Sequence, residues 1–262
     1  MGEQPAREQS VKQIEHGDVR ELRMNRPPVN ALSGELLGEV RAAMERATKE
    51  GAKGIVLSGS PGRFSAGFDL PFLLGLDRKE IAKTWQELYG LLRTIAASQI
   101  PIVAAMTGHA IAGGTVIAMF CDRRVMAAGD YKLGLNEVQV GIHLPPVVLA
   151  CLRRLVGSRV AEYLAVMGPL LSPQKALEFG LVDELHEPDF VVNRAVEWCQ
   201  RVVALPEAAM STRHDARADL VALFENALQP EQDSFTTSWF SPSTQKHVRA
   251  AVERLGKSAA KG

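Results

Sequence analysis

The chain has 262 residues, and its 30 Lys and Arg side chains balance 30 Asp and Glu side chains, so the formal net charge is zero. This balance argues against a partner held by a broad electrostatic field, such as nucleic acid or an anionic membrane surface. Hydrophobic residues make up 46% of the chain and charged residues 23%, which excludes intrinsic disorder and is typical of a globular protein with a sizeable core.

The cysteines and the N-terminal segment bear on the compartment. Cys121, Cys151 and Cys199 are widely spaced and form no CxxC pair, so neither a disulfide framework nor a zinc knuckle is expected. The start of the chain, MGEQPAREQS, lacks the apolar stretch of a secretory signal, and no apolar run reaches the length of a membrane span. We therefore expect a cytoplasmic protein that does not associate with membranes, or a mitochondrial-matrix protein if the chain is a processed form.

Short apolar runs alternate with helical patterns over roughly the first 140 residues. In chain order, the predicted elements are a strand at DVRELRM, a helix with Ser33 as N-cap, a strand at GIVLSG, a helix around residues 81–95, a strand at PIVAAMTG, and a buried helix at GTVIAMFCD that leads into the strand RVMAA. This alternation predicts an α/β fold, in which helices cover a parallel sheet and ligands bind near the carboxyl ends of the strands.

Strand patterns nearly disappear after residue 145. The predicted helices there are VVLACLRRLVG, SRVAEYLAVMG, SPQKALEFG and DFVVNRAVEWCQRVVAL, followed by a last helix over residues 242–255. Ser172 is the expected N-cap of the third of these helices, and Gly180 closes it. We accordingly predict a core over residues 1–190 and a helical C-terminal region over residues 191–262.

Common nucleotide, metal and hydrolase motifs are absent from the sequence. Neither GxGxxG nor GxxxxGK[ST] occurs, and the histidines (residues 16, 109, 143, 186, 214 and 247) show no ligand spacing, so we expect no metal. Ser65 in GRFSAG lies near the spacing of a nucleophile elbow. Arg63, however, occupies a position where GxSxG requires glycine, which argues against a serine hydrolase.

Two loops of small residues each follow a predicted strand: residues 64–70 (FSAGFDL) and residues 108–114 (GHAIAGG). Where a chain leaves a strand and starts a helix, free backbone N–H groups and the helix dipole favour negative charge. Two such donors that meet at one oxygen would form an oxyanion hole. The alternative is that these glycines serve only tight turns and close helix packing, and the spacing alone leaves both possibilities open.

Glu137 is an isolated carboxylate in the apolar, glycine-bounded stretch LGLNEVQVGI. Apolar surroundings disfavour the charged form and raise the pKa of a carboxyl group toward the range useful for proton transfer. A solvated loop glutamate is the alternative interpretation.

Four ordered motifs, NRPPVNALS, FSAGFDL, GHAIAGGTVIAMFCDRRVMA and LGLNEVQVGI, together resemble the crotonase (enoyl-CoA hydratase/isomerase) superfamily. The resemblance covers residues 22–184 at motif level and continues more loosely through the helical end. It implies a spiral of ββα turns with a helical C-terminal trimerisation region, and hence a homotrimer or a dimer of trimers. It also implies an acyl-CoA thioester as substrate, so that coenzyme A is part of the substrate and no separate cofactor is needed.

The resemblance implies roles for individual residues. The thioester oxygen would lie between the backbone amides of Phe68 and Gly113, and Glu137 would be the catalytic base. The residues implied to contact substrate or coenzyme A are Asn30, Ala31, Ala66, Gly67, Phe68, Asp69, Leu70, Gly113 and Gly114. His109 and His143 lie near these motifs as turn or pocket-wall residues, and residues 71–76 are candidates for lining an acyl channel or for core packing.

The number of carboxylates distinguishes reactions within this superfamily. Hydratases resemble one another in having two glutamates, one in the helix after the glycine loop and one in the later loop. Here the helix position is Val116, and only Glu137 remains. Moving a double bond from C3 to C2 needs one proton-transfer group, so the chain is similar to the mitochondrial-type Δ3,Δ2-enoyl-CoA isomerases of fatty-acid β-oxidation. A hydratase, an acyl-CoA thioester hydrolase and a non-catalytic CoA-binding homologue remain the alternatives.

Zero net charge means that the phosphates of coenzyme A would be bound by local cations and helix N-termini rather than by a broad field. Arg26, Lys246 and Lys257 are the candidate cations, and one of them could come from a neighbouring subunit.

Overall fold

A computed structural model of the chain describes residues 9–225 and 228–259, with the side chains of residues 228–232 and 257–259 left undescribed. Its strands within these ranges are β1 (Val11–His16), β2 (Val19–Met24), β3 (Gly54–Ser58), β4 (Gly62–Ser65), β5 (Ile102–Met106), β6 (Gly108–Ile111), β7 (Arg123–Ala127), β8 (Leu133–Gly134) and β9 (Glu184–His186). Its α-helices are α1 (Gly34–Lys49), α2 (Leu70–Leu73), α3 (Arg78–Ala96), α4 (Gly113–Phe120), α5 (Pro146–Met167), α6 (Pro173–Glu178), α7 (Val191–Val203), α8 (Glu207–Ala216), α9 (Ala218–Ala222), α10 (Leu228–Trp239) and α11 (Pro242–Ala259).

The strands form two sheets. The larger sheet has the order β1-β2-β3-β5-β7-β9 and is parallel except for the β1–β2 pair, and the smaller sheet has the parallel order β4-β6-β8. The first unit, β1-β2-α1, gives both strands to the larger sheet, and from β3 through α5 each unit gives one strand to the larger sheet, one to the smaller sheet, and then a helix. This is the α/β fold with ββα turns that the sequence predicted.

Hydrophobic patterning explains the positions of the strands. Every residue of β3 and β5 is buried, because both faces of these central strands are covered. Helices α1 and α3 contribute to the main core on one face of the larger sheet. On the other face, Val56 and Val103 pack in a second cluster with Val191, Ala195 and Cys199 of α7. Helix α7 therefore covers the second face of the larger sheet. The boundary at residue 190 between a core and a helical C-terminal region stays a prediction.

The predicted helix boundaries agree with the structure at several caps. Ser33 accepts a hydrogen bond from the Leu36 N–H (3.2 Å), and Ser172 accepts one from the Lys175 N–H (3.2 Å). The two helices predicted around residue 157 are the two segments of α5, which are separated at Gly157, where φ is +74°. In these places the local sequence signal was sufficient.

The sequence analysis missed five strands: β1, β4, β6, β8 and β9. Strands β4, β6, β8 and β9 have two to four residues each, too few to display an alternating pattern. The loops predicted at residues 64–70 and 108–114 consequently begin inside β4 and β6. Strand β9 also corrects the expectation that strands end near residue 145, because it extends the larger sheet beside β7.

A buried ion cluster joins the C-terminal helices to the core. Arg213 of α8 donates from Nε and Nη2 to the two carboxylate oxygens of Asp122, each at 2.8 Å. Arg217, between α8 and α9, contacts Asp122 at 3.2 Å and donates to the Phe120 carbonyl oxygen at 2.6 Å. Asp122 also accepts a hydrogen bond from the Ile102 N–H (2.8 Å). The Asp122 carboxylate thus joins the start of β5 to the helices after residue 206.

Within the described ranges, no helix combines the length and apolar character needed to cross a lipid bilayer.

Replacing Asp122 by Asn should reduce the free energy of unfolding by about 3 kcal/mol, because two arginines would keep their charge in a buried site without the carboxylate. The side chain of Asp122 is 7% exposed, and those of Arg213 and Arg217 are 11% and 9% exposed. Urea unfolding followed by circular dichroism measures the change. Asp18→Asn is the matched control, since its pair with Lys53 is largely exposed and should contribute less than about 1 kcal/mol. Equal losses in the two variants would contradict the structural role of the cluster.

Candidate active site

The segment around Asn30 is joined to the loop that follows β4. Asn30 is 1% exposed and donates from Nδ2 to the Phe64 carbonyl oxygen (3.1 Å). Ser65 Oγ donates to the Asn30 carbonyl oxygen (2.7 Å) and accepts from the Gly67 N–H (3.2 Å). Asn30 adopts a φ of +49°, which asparagine tolerates better than most residues. The predicted substrate contact Asn30 thus has a side chain committed to fixing where the loop leaves β4.

The Phe68 amide is left free by the pairing on either side of it. The Leu32 N–H donates to the Gly67 carbonyl oxygen (2.7 Å), and the Asp69 N–H donates to the Leu32 carbonyl oxygen (3.0 Å). Because successive backbone groups in extended chain point in opposite directions, the Phe68 N–H points away from Leu32. Among the described residues it donates to no protein acceptor.

The Gly113 amide is left free in a similar way at the start of α4. The Ala112 N–H donates to the Gly134 carbonyl oxygen (2.8 Å), which continues the β6–β8 pairing to the last residue before the helix. Ala112 has a φ of +49°, a rare conformation for a residue with a Cβ atom. The turn at Ala112 brings Gly113 to the first position of α4, where its N–H has no partner in the described part of the chain.

The two loops lie against each other through their glycines. A Cβ atom added to Gly67 would lie 2.8 Å from the Ile111 carbonyl oxygen and 3.3 Å from the Gly113 nitrogen, and Gly67 has a φ of +78°. A Cβ atom added to Gly114 would lie 2.7 Å from the Ser65 carbonyl oxygen. The close approach therefore requires glycine at both positions. It brings together two unpaired N–H groups and the positive end of a helix, an arrangement that can bind an anionic oxygen.

Glu137 opens a short 3₁₀ turn, Glu137–Val140, that follows β8. The turn ends at Gly141, which has a φ of +79°. It is held from outside by two side-chain hydrogen bonds: Gln139 Nε2 donates to the Met167 carbonyl oxygen (3.1 Å), and Thr244 Oγ1 of α11 donates to the Gly141 carbonyl oxygen (3.0 Å). The turn thereby fixes the backbone from which the Glu137 side chain extends.

A small cavity of about 40 Å³ lies where Phe68, Gly113 and Glu137 meet. It is lined by Phe68, Trp85, Leu88, Tyr89, Gly113, Val116, Glu137, Ile142, His143, Leu144, Pro145, Val148 and Phe235. Glu137 is the only one of these residues with a carboxylate. In α4, where a hydratase would have its second glutamate, the residue is Val116, which is 3% exposed. The structure therefore brings together the three predicted catalytic groups, Glu137, Phe68 and Gly113.

The environment of Glu137 favours its protonated form. Its Oε2 atom is buried and has no hydrogen-bond partner within the described structure. Burial raises the pKa of the carboxyl group from 4.5 to about 7, and a hydrogen bond from the residue's own backbone N–H opposes part of that rise. A carboxyl group with a pKa near neutrality can both accept and return a proton at physiological pH.

Aromatic side chains missed in the sequence analysis form one wall of the cavity. The Trp85 ring meets the Phe68 ring edge to face at a centroid distance of 4.7 Å and the Phe235 ring at 4.2 Å. Trp85 appeared in the sequence only as one apolar position of a helix. Phe235 lies about 100 residues beyond Glu137 in the chain, so no local signal could place it in this wall.

The other predicted contact residues surround the loop after β4. Arg26 donates to the Ala31 carbonyl oxygen (2.7 Å) and to Asp69 Oδ2 (2.9 Å), and Asp69 Oδ1 caps α2. A phosphate bound at Arg26 would therefore have to share it with Asp69. Ala66 is exposed, and Leu70 packs at the edge of the core. None of residues 71–76 lines the cavity at Glu137.

The two histidines near the motifs occupy different places. His109 accepts a hydrogen bond from the Lys132 N–H (3.1 Å) and meets the Tyr131 ring edge to face, and it does not line the cavity. His143 does line the cavity, and its ring lies 5.4 Å from that of Phe235. Lys246 is exposed on α11, and the side chain of Lys257 lies outside the described residues. Across the described ranges, no group of three or more His, Cys, Asp or Glu side chains could hold a metal ion.

The sequence matches the family Enoyl-CoA hydratase/isomerase over residues 15–258. It is 31% identical over 241 residues to enoyl-CoA delta isomerase 1, mitochondrial, of Homo sapiens, an alignment that covers 90% of this chain and 80% of the relative. It is 33% identical over 205 residues to the probable enoyl-CoA hydratase echA17 of Mycobacterium avium, covering 78% of each chain.

Solved structures show the same similarity. The crystal structure of human mitochondrial delta3-delta2-enoyl-CoA isomerase superposes with a TM-score of 0.90 at 30% identity and covers 95% of this chain and 99% of that one. A probable enoyl-CoA hydratase, EchA3, of Mycobacterium tuberculosis superposes with a TM-score of 0.80 at 26% identity, covering 88% of this chain and 96% of that one. The similarity thus includes relatives named for two different reactions.

Replacing Glu137 by Gln should make the stability of the protein less dependent on pH. Because the pKa of about 7 in the folded state exceeds the ordinary value of 4.5, wild type loses stability as pH rises from about 4.5 through 7. The variant has no such titration, so it should gain about 3 kcal/mol relative to wild type across this window. Denaturant unfolding at a series of pH values measures the difference. Glu178→Gln, at a carboxylate that is 61% exposed, is the control, and a flat Glu137 difference would contradict burial of the carboxylate.

Proposed function

The chain belongs to the enoyl-CoA hydratase/isomerase family, and we propose that it is a Δ3,Δ2-enoyl-CoA isomerase of fatty-acid β-oxidation. Membership of the family confirms the resemblance to the crotonase superfamily and establishes an enzyme type that processes enoyl-CoA thioesters. The single observation that carries the finer proposal is that, of the described residues that line the cavity, only Glu137 has a carboxylate.

The substrate in this proposal is a 3-enoyl-CoA whose thioester oxygen accepts hydrogen bonds from the Phe68 and Gly113 amides. Neither amide has another acceptor in the described structure, so both are available. Helix α4 points its positive end at the same place. Donors of this kind stabilise a developing oxyanion by roughly 3–4 kcal/mol each.

The reaction then needs one proton carrier. Ionised Glu137 removes a proton from C2, and the electron pair of the C–H bond becomes part of a dienolate that extends from the thioester oxygen to C4. Protonated Glu137 returns the proton to C4, and the double bond now lies between C2 and C3, in conjugation with the thioester. No atom is gained or lost, and no cofactor takes part.

The electrostatics of the cavity suit this sequence of steps. The site carries one negative charge throughout, first on Glu137 and then on the dienolate oxygen. In an apolar environment a second charge would be costly, and charge stabilisation by fixed dipoles is stronger than in water. The raised pKa of Glu137 reduces the difference in proton affinity between the base and the carbon acid, which favours transfer in both directions.

A hydratase is the second candidate because several relatives bear that name. Hydration requires a water molecule to be activated and a proton to be delivered, for which a second carboxylate at the helix position would serve. Val116 occupies that position, and its apolar side chain neither orients water nor donates a proton. The residues that line the cavity therefore favour isomerisation over hydration.

The remaining features of the proposal follow the family resemblance. A homotrimer or dimer of trimers is proposed, and the exposed apolar side chains of Tyr163, Val166 and Met167 on α5 are consistent with a protein interface. The compartment proposed is the cytoplasm, with the mitochondrial matrix as the alternative for a processed form. The proposed coenzyme A contacts lie around Ala31, Ala66 and Asp69.

Glu137→Gln should reduce kcat for 3-enoyl-CoA isomerisation by about 10²- to 10⁴-fold, because the amide cannot accept the C2 proton. Binding of a saturated acyl-CoA should persist, since neither backbone amide is altered. Formation of the conjugated thioester, followed by ultraviolet absorbance, measures the rate. Glu178→Gln, on the exposed surface, is the matched control and should retain wild-type activity. Near-wild-type turnover by Glu137→Gln would refute the proposed base.

The wild-type enzyme should hydrate crotonyl-CoA at less than about 1% of the rate at which it isomerises 3-enoyl-CoA, because a second proton-transfer group contributes about 10²-fold or more. Loss of the absorbance of the conjugated thioester measures hydration. Comparable rates of hydration and isomerisation would contradict the argument that hydration requires a second carboxylate. Release of free thiol would identify a thioester hydrolase instead.

A further inference from the structure

The turn that carries Glu137 has little internal support. It is a 3₁₀ helix of four residues, and the Gly141 N–H at its end is shared between the Glu137 and Val138 carbonyl oxygens. Short 3₁₀ segments have poorer hydrogen-bond geometry than an α-helix. The direction in which the Glu137 side chain extends therefore depends on the contacts that hold the turn from outside.

The two side-chain hydrogen bonds to this part of the backbone differ in their exposure to water. Gln139 is exposed, so water competes for its bond to the Met167 carbonyl oxygen. Thr244 of α11 is 5% exposed, and its Oγ1 donates to the Gly141 carbonyl oxygen at 3.0 Å. A buried hydrogen bond is electrostatically stronger, and breaking it leaves a carbonyl group without a partner. Thr244 thus provides the firmer of the two restraints.

The Thr244 hydroxyl is itself oriented by Ser241. Ser241 Oγ donates to Thr244 Oγ1 (3.0 Å) and accepts a hydrogen bond from the Thr244 N–H (3.2 Å) in the first turn of α11. Because Thr244 Oγ1 accepts from Ser241, its own single proton is directed at the Gly141 carbonyl oxygen. Two hydroxyl groups in series therefore join the start of α11 to the end of the Glu137 turn.

The backbone contact at Gly141 is equally close. Gly141 has a φ of +79°, and a Cβ atom added there would lie 2.7 Å from the His247 Cβ atom, one helical turn after Thr244. Helix α11 thus lies directly against the end of the turn. Ile142 and His143, which follow Gly141, line the cavity together with Glu137. A shift of Gly141 relative to α11 would consequently change the position of the Glu137 carboxylate.

We propose that Thr244 is a positioning residue, whose hydroxyl anchors Gly141 to α11 and thereby holds the Glu137 carboxylate where it can transfer a proton. The inference rests on the proposed function in taking Glu137 as the base. A misplacement of about 1 Å can reduce the rate of a reaction by about 10²-fold. Thr244 does not line the cavity, so its loss should lower kcat and leave KM nearly unchanged.

The first experiment replaces Thr244 by Val, which removes the hydroxyl and nearly keeps the shape of the side chain. We expect kcat for 3-enoyl-CoA isomerisation to fall by about 10- to 100-fold, and Thr244→Ser to restore most of it. Thr236→Val is the matched control, because Thr236 of α10 is also 5% exposed and its Oγ1 has no hydrogen-bond partner among the described residues. A wild-type kcat in Thr244→Val, or equal losses in the two variants, would overturn the inference.

A second experiment tests whether Thr244 acts through Glu137. Adding Thr244→Val to Glu137→Gln should leave the residual rate unchanged, because the group that Thr244 positions is no longer a base. A further tenfold fall in the double variant would show that the hydroxyl acts by another route, and the proposed role would then be wrong.

A third experiment does not depend on isomerase activity. Carbon-13 NMR of labelled glutamate side chains, assigned by comparison with Glu137→Gln, measures the pKa of Glu137 directly. We expect this pKa to fall from about 7 toward 4.5 in Thr244→Val, since a released turn admits water to the carboxylate, and to stay unchanged in Thr236→Val. Unchanged values in both variants would contradict the positioning role.

These measurements separate the inference from the proposed function. A lower Glu137 pKa in Thr244→Val of a protein without isomerase activity would support the role of Thr244 and refute the isomerase proposal. Isomerase activity that is insensitive to Thr244→Val would support the function and overturn the inference. Circular dichroism shows whether each variant folds. If Thr244→Val does not fold, Ser241→Ala takes its place and should lower kcat in the same direction, and an unchanged kcat there would equally overturn the inference.

Discussion

The close approach of two strand-to-helix loops is the constraint on which the site depends. Gly67 and Gly114 lie where a Cβ atom would collide with the opposite loop, so the backbones meet at a distance that only glycine permits. That contact brings the Phe68 and Gly113 N–H groups, which have no acceptor among the described residues, close to each other. The hydrogen bonds of Ser65 and Asn30, and the unusual turn at Ala112, maintain the same juxtaposition from each side. Both loops follow adjacent parallel strands of the smaller sheet, β4 and β6, so they leave that sheet at the same edge.

A second constraint follows from surrounding one carboxylate with apolar side chains. Glu137 has a raised pKa because burial deprives it of water, and Oε2 has no protein partner in the described residues. This destabilises the folded protein above neutral pH, a cost often associated with functional sites. In the proposed mechanism, the same environment favours transfer of the negative charge from Glu137 to the thioester oxygen of the substrate, which accepts hydrogen bonds from fixed backbone N–H groups. The proposed chemistry is thus a transfer of one charge between two places in a nearly nonpolar cavity.

The sequence predicted those parts of the structure that local patterns encode. Continuous apolar runs identified β3 and β5, Ser33 and Ser172 marked helix starts, and four motifs together indicated the family and brought Phe68, Gly113 and Glu137 into one site. The sequence analysis missed the strands of the smaller sheet because two to four residues are too few to display the alternating apolar pattern of a strand. The sequence analysis missed Phe235 for a different reason. Its position beside Trp85 depends on the tertiary packing of α10, and the residues near it in the sequence do not indicate that packing.

Helix α4 connects the catalytic loops with the C-terminal helices that the sequence analysis treated as a separate region. Its first residue supplies the Gly113 amide, and the Phe120 carbonyl oxygen at its other end accepts a hydrogen bond from Arg217. Both ends therefore meet groups that match the helix dipole: an anionic oxygen at the N-terminus in the proposed mechanism, and a guanidinium at the C-terminus. Asp122, two residues beyond the helix, binds Arg213 as well. Helix α10, which follows these arginines in the chain, supplies Phe235 to the wall of the cavity that Gly113 and Glu137 also line.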